Sequence, residues 1–81
     1  MDQEATRVNR VQIARQAIAA ILKKARQNVD WLPEKGVSFV ESCEQTLAGI
    51  STWIDEHDNI TDKQLHTVRN VSNGLDRWVG R

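Results

Sequence analysis

Three amphipathic helices packed as an up-down-up bundle are what this chain predicts, on three observations. Apolar side chains recur at three- and four-residue intervals in three consecutive blocks, the rhythm of helices with one greasy face. Ser/Thr capping signals and a Pro/Gly break separate the blocks. Strand formers nowhere cluster in alternating runs. The 81 residues make one domain, 1–81, all-α, with a long first helix and coiled-coil-like packing.

The first helix is expected over about 3–29. Its stripe reads Val8, Val11, Ile18, Leu22, Ala25, Val29 and Leu32, alternating three and four with Arg15 as the one polar interruption. Ala14, Ala17 and Ile21 widen it. A helix so broadly apolar lies between two neighbours or against a second subunit. DWLPEKG, residues 30–36, is the break, since Pro33 lacks an amide hydrogen and disfavours helix in the residue before it.

The second helix is expected over about 38–57, opened by an S-x-x-E capping box of Ser38 and Glu41. Its core face reads Phe39, Val40, Cys43, Leu47, Ile50, Trp53, Ile54 and His57. A turn at His57, Asp58 and Asn59 leads to a third helix over about 62–79. Thr61 and Gln64 make a T-x-x-Q capping box, and Ile60 and Leu65 stand at the positions of a hydrophobic staple. Leu65, Val68, Val71, Leu75, Trp78 and Val79 form its core face. At 1.5 Å per residue the first helix is roughly 40 Å long and the others nearer 30 Å. The expected overhang of two turns carries Val8 and Val11.

Composition excludes several classes. Apolar residues are 40 % and charged residues 27 %, too balanced for disorder. Cys43 is the sole cysteine, so no internal disulfide forms and a reducing compartment fits. MDQEATRVNR has no apolar run for a signal peptide, and nothing approaches the roughly 18 apolar residues of a membrane span. The expectation is a soluble, cytoplasmic protein that touches no membrane.

No catalytic set is visible, and the reading is non-enzymatic. Cys43 and His57 lie on one helix, about 21 Å apart along its axis, too far to share an ion or to act as a nucleophile and its base. His57 and His66 flank a turn, but two histidines are too few for a metal site. Asp55, Glu56 and Asp58 are a solvated acidic helix end, without the dry pocket that general acid catalysis needs. Gly-rich phosphate loops, G-x-S-x-G and H-E-x-x-H are all missing. Neither cofactor nor metal is expected.

Two surfaces remain. Val8, Val11, Ile13, Ala17, Ala20 and Trp31 form the candidate surface for another protein or a second copy. Val8 and Val11 lie on the overhang, Ile13, Ala17 and Ala20 lie off the main seam, and Trp31 is an aromatic anchor in the break. Gly49 and Gly74, both mid-helix, suggest close backbone approach within the bundle or by a partner.

The alternative is nucleic acid, read by Lys63, His66, Arg69, Asn70, Asn73 and Arg77 on the third helix. Asn and Arg hydrogen-bond base edges and cations hold phosphates. The first helix assists with Arg7, Arg10, Arg15, Lys23, Lys24 and Arg26, and Arg81 adds a further charge. Against it stand a formal net charge of zero and the segregation of that charge. Residues 1–29 carry six basic and two acidic groups, 30–62 one and eight, and 63–81 four and one. The preferred account of these charges is that two basic helices flank an acidic one and pair with it across the bundle rim.

NITDKQLHTVRNVSNGLDRW, about a quarter of the chain, resembles the capped closing helices of short bacterial and phage-encoded accessory proteins. That resemblance carries no functional residue with it; an accessory or inhibitor role encoded by a phage or mobile element is expected from the excess apolar surface of the first helix and the lack of a catalytic set.

Overall fold

The computed structural model describes the backbone of residues 3–80 and the side chains of residues 6–80; Arg81 lies outside them. Among the described residues the elements are helix α1 (Gln3–Asn28), a 3-10 turn (Val29–Trp31), helix α2 (Glu34–His57) and helix α3 (Asp62–Val79), with no strand. They form a three-helix bundle measuring 47 × 23 × 19 Å. No described helix is long and apolar enough to cross a membrane.

Ion pairs give the directions. Arg7 approaches Asp58 at 3.9 Å and Arg15 meets Asp55 at 2.8 Å, the partner number falling as α1 advances, so α1 and α2 run antiparallel. Arg10 meets Asp62 at 2.6 Å and Lys24 meets Asp76, both at a separation of 52 residues, so α1 and α3 run parallel in a constant register.

The seam of α1 is rotated from the expected one. Val11, Ala14, Ile18, Ile21 and Ala25 are buried, Ala14 completely. They also alternate three and four, but with no polar interruption. Leu22 and Val29 are half-buried beside this seam, while Val8 stays 44 % exposed. The reason is that α1 faces two partners at once. Ala14 bisects the angle between them, Arg15 leans to α2, and Arg10 and Lys24 lean to α3.

The two-turn overhang is also corrected. Arg7 already approaches Asp58 at 3.9 Å, and Arg10 donates to the Ile60 carbonyl at 3.2 Å. These positions are level with the turn between α2 and α3, and Val11 is only 7 % exposed. Helix α2 has 24 residues against 26 for α1, so the two are nearly equal in length.

Four extra residues enter α2 at its start. Ser38 is not its cap: Pro33 is, with extended backbone at ψ 167°, and its carbonyl accepts from the Val37 amide at 3.0 Å. Proline forces the residue before it to be extended, as Leu32 is at ψ 147°, yet starts a helix without loss. Gly36 is not loop-like either. It is buried and helical, and a Cβ there would lie 3.2 Å from the Trp78 ring and 3.3 Å from Leu32. Its role is close packing rather than backbone freedom. The helix ends at Asp58, in the left-handed region at φ 51°.

Helix α3 matches its expected bounds. Thr61 Oγ1 accepts from the Gln64 amide and Gln64 Oε1 from the Thr61 amide, both at 3.0 Å. Val68, Val71 and Leu75 are buried, and so is Ile60 just before the cap. Trp78 packs against the core, its ring 6.5 Å from that of Phe39. Trp53 and His57 do not lie on the core face as expected. Trp53 is half-buried outside the core and stacks at 4.1 Å on the exposed His57 ring, whose Nδ1 lies 3.0 Å from the Trp53 carbonyl oxygen.

Candidate interaction surface

The third helix meets its two neighbours very differently. Against α2 it presents Gly74, where a Cβ would fall 2.5 Å from the Phe39 ring. Phe39 fills the space the glycine leaves. Against α1 it presents Leu65, Val68, Arg69, Ser72 and Asn73, which face Ile13, Ala14 and Ala17 across a half-open groove of about 360 Å³. The groove continues past Ala20, Ile21 and Leu75. Two alanines and a serine are too short to close it. The pair of Arg10 and Asp62 bounds one end, and that of Lys24 and Asp76 the other. On the α1 rim stands Ile13, 57 % exposed.

This groove joins parts of both surfaces expected from the sequence. Ile13, Ala17 and Ala20 form its α1 wall, and Arg69 and Asn73 its α3 wall. The remaining residues do not join it. Val11 is in the core. Val8 lies on the α2 side of α1, seven residues from Arg15 and on the same face. Trp31 is 59 % exposed at the opposite end of the bundle from Val8, in the 3-10 turn. Lys63, His66, Asn70 and Arg77 are exposed on the outward face of α3. Sequence reasoning missed Leu65, Ser72 and Arg10 as groove residues. Their signal was the short side chain of Ser72, which becomes legible only once the register of 52 is known.

Electrostatically, the cations of α1 are largely engaged inside the fold. Arg7, Arg10, Arg15 and Lys24 pair with Asp58, Asp62, Asp55 and Asp76. The pairing across the rim thus involves α3 as well as α2. All four pairs are more than one-third exposed on at least one side, so each contributes about 0–1 kcal/mol. Lys63, Arg69 and Arg77 form no ion pair among the described residues.

Cys43 is half-buried beside Phe39, Val71 and Leu75, around a cavity of only about 10 Å³. Burial pushes its thiol pKa above the ordinary value, which withholds the nucleophilic thiolate. Among the described residues, no three His, Cys, Asp or Glu side chains are grouped to hold a metal ion. Comparison with protein-family models, with curated proteins and with solved structures finds no significant match.

Proposed function

We propose that this protein is a non-catalytic interaction module that takes an amphipathic helix into the groove between α1 and α3. The observation that carries the reading is the groove itself, with an apolar floor, alanine walls and Ile13 exposed on its rim. A helix laid there covers apolar surface at roughly 25 cal/mol per Å² and meets small side chains that allow close approach. Recognition of this kind reads apolar anchors along one face of the incoming helix.

An NMR titration with a designed probe helix, carrying a Leu/Ala seam flanked by Glu, tests it. Amide shifts are expected at Ile13, Ala17, Ala20, Leu65 and Arg69, and Ala20→Trp, which fills the groove, abolishes them. Shifts confined to other residues, or binding indifferent to Ala20→Trp, overturn the reading.

One observation favours nucleic acid as a second reading: among the described residues, Lys63, Arg69 and Arg77 form no ion pair along α3. Three phosphate contacts give a salt dependence of binding with slope about −2.7 for duplex DNA. Because Arg7, Arg10, Arg15 and Lys24 of α1 are committed to ion pairs within the fold, that footprint is small. Retention of the protein on DNA or RNA at low salt, lost in Arg69→Ala with Arg77→Ala, is the supporting result, and no retention removes this reading.

A further inference from the structure

The seam between α1 and α3 is a ladder of three rungs. Along α1, Arg10, Ala17 and Lys24 follow one another every seven residues, and along α3 so do Asp62, Arg69 and Asp76. Seven residues are close to two turns, so each set stays on one face of its helix. The register of 52 brings the two sets together in order. Arg10 pairs with Asp62 at 2.6 Å, and Lys24 pairs with Asp76. The middle rung sets Arg69 level with Ala17, and both line the groove.

That middle rung is built differently. The outer rungs place a base on α1 and an acid on α3. In the middle the base stands on α3, and α1 answers with a methyl group. Arg69 is exposed, and its guanidinium forms no hydrogen bond or ion pair among the described residues. Asp62 and Asp76 are each about 10 Å away along the axis and already hold a cation of their own. The centre of the groove therefore lacks the counter-ion that the same seam supplies at both ends. Asn73, one turn on, also lines the groove and adds a neutral donor. Between the end pairs the α1 wall is Ile13, Ala14, Ala17, Ala20 and Ile21, without a polar side-chain atom.

An occupant thus meets an apolar wall on one side and a single free positive charge on the other. A wholly apolar helix would cover Arg69 without a partner, at a cost in lost hydration. A base at that level would meet a like charge. An acid completes the ladder. Resting on the groove reading above, we infer that the occupant is a helix of another protein with an aspartate or glutamate at the middle of its contact stripe and apolar side chains one turn to either side, and that Arg69 selects it by pairing with that carboxylate. One apolar anchor lies between Ile13 and Leu65, the other between Ala20 and Ser72. The outer face of this chain's own α2, with Glu41, Gln45, Thr52 and Glu56 all exposed, has acids but no apolar anchor.

Three Leu/Ala probe helices, identical except for a central Glu, Gln or Lys, test this when titrated into the full chain by fluorescence anisotropy. The Glu probe is expected to bind about fivefold more tightly than the Gln probe, the upper end for a part-exposed ion pair, and the Lys probe most weakly. The preference fades in about 1 M salt, where the Debye length falls to about 3 Å. Arg69→Ala takes the Glu and Gln probes alike, and Arg69→Glu prefers the Lys probe, both with the circular dichroism of the parent. Equal binding of Glu and Gln by the parent, or a preference that survives Arg69→Ala, overturns the inference and leaves the groove reading standing. If none of the three binds, both fall. Self-association of the parent that Ala20→Trp abolishes would make the occupant a second copy, and displacement of the Glu probe by duplex DNA would assign Arg69 to phosphate; either result overturns the inference.

Discussion

One side of α3 is closed and the other is open, although both are seams between helices of similar length. Against α2, the chain places an aromatic ring next to its smallest residue type, and Phe39 lies where a Gly74 side chain would be. Against α1, it places Ala17 and Ala20 opposite Ser72, with an ion pair at each end. Small residues therefore have opposite consequences in the two seams. Opposite an aromatic ring, a small residue allows interlocking and leaves no free surface. Opposite another small residue, it leaves a trough that a third helix can enter. The proposed function is placed at the open seam on that ground.

The sharpest way to break this contrast lies in the closed seam. Phe39→Ala is expected to cost about 2–4 kcal/mol in chemical unfolding, toward the lower end for a ring that is only part-buried. Gly74→Leu alone costs about 1–3 kcal/mol by overpacking. The double variant costs less than the sum, because the leucine occupies the volume the ring vacates. Additive costs would mean that the two residues do not interlock.

Next in size is the capping of α3, the helix common to both seams. Thr61→Ala is expected to lose about 1 kcal/mol by removing the side-chain acceptor for the Gln64 amide. Ser38→Ala stays within about 0.5 kcal/mol, because Ser38 is exposed inside α2 and caps nothing. Thermal melts of the pair check both. Equal losses would contradict the start of α2 at Glu34.

The ends of the open seam contribute less. Lys24→Ala and Arg10→Ala are each expected to cost about 0.5 kcal/mol at low salt and less at high salt, as exposed pairs do. Salt-independent losses would point to packing by the side-chain stems instead. The smallest effect belongs to Cys43. Its folded thiol holds its proton to higher pH than the unfolded one. The stability it contributes is therefore intact below the unfolded thiol's pKa and declines as pH rises through the folded value. Native alkylation should be slow against the denatured chain, and the alkaline decline should flatten in Cys43→Ala.

Most of the architecture was legible from local rules. A reciprocal capping box at Thr61 and Gln64 and a clean apolar face place α3 to the residue. Where local rules competed, the reading went astray. Pro33, Gly36, Ser38 and Glu41 offer two starts for α2. The capping motif favours the later one, but burial of Gly36 beneath Trp78 selects the earlier. For α1, two interleaved seams of three-four spacing exist in the sequence, and only the presence of two neighbours selects the one through Ala14 and Ile21. The groove was half legible. Ile13, Ala17 and Ala20 stood out as apolar residues off the main seam, but their opposite wall depends on the parallel register with α3, which no local pattern encodes. Trp53 and His57 sit at the border of the apolar face of α2, where a shift of a few tens of degrees decides between core and solvent.

The central claim is that the middle of the α1–α3 seam is open and available. Ala20→Trp tests it most directly when unfolding free energy and probe-helix binding are measured on the same sample. The account predicts an unfolding free energy within about 0.5 kcal/mol of the parent, as for an exposed substitution, together with loss of probe binding. A large destabilisation would show the seam to be closed, and unchanged binding would show that the helix is taken elsewhere.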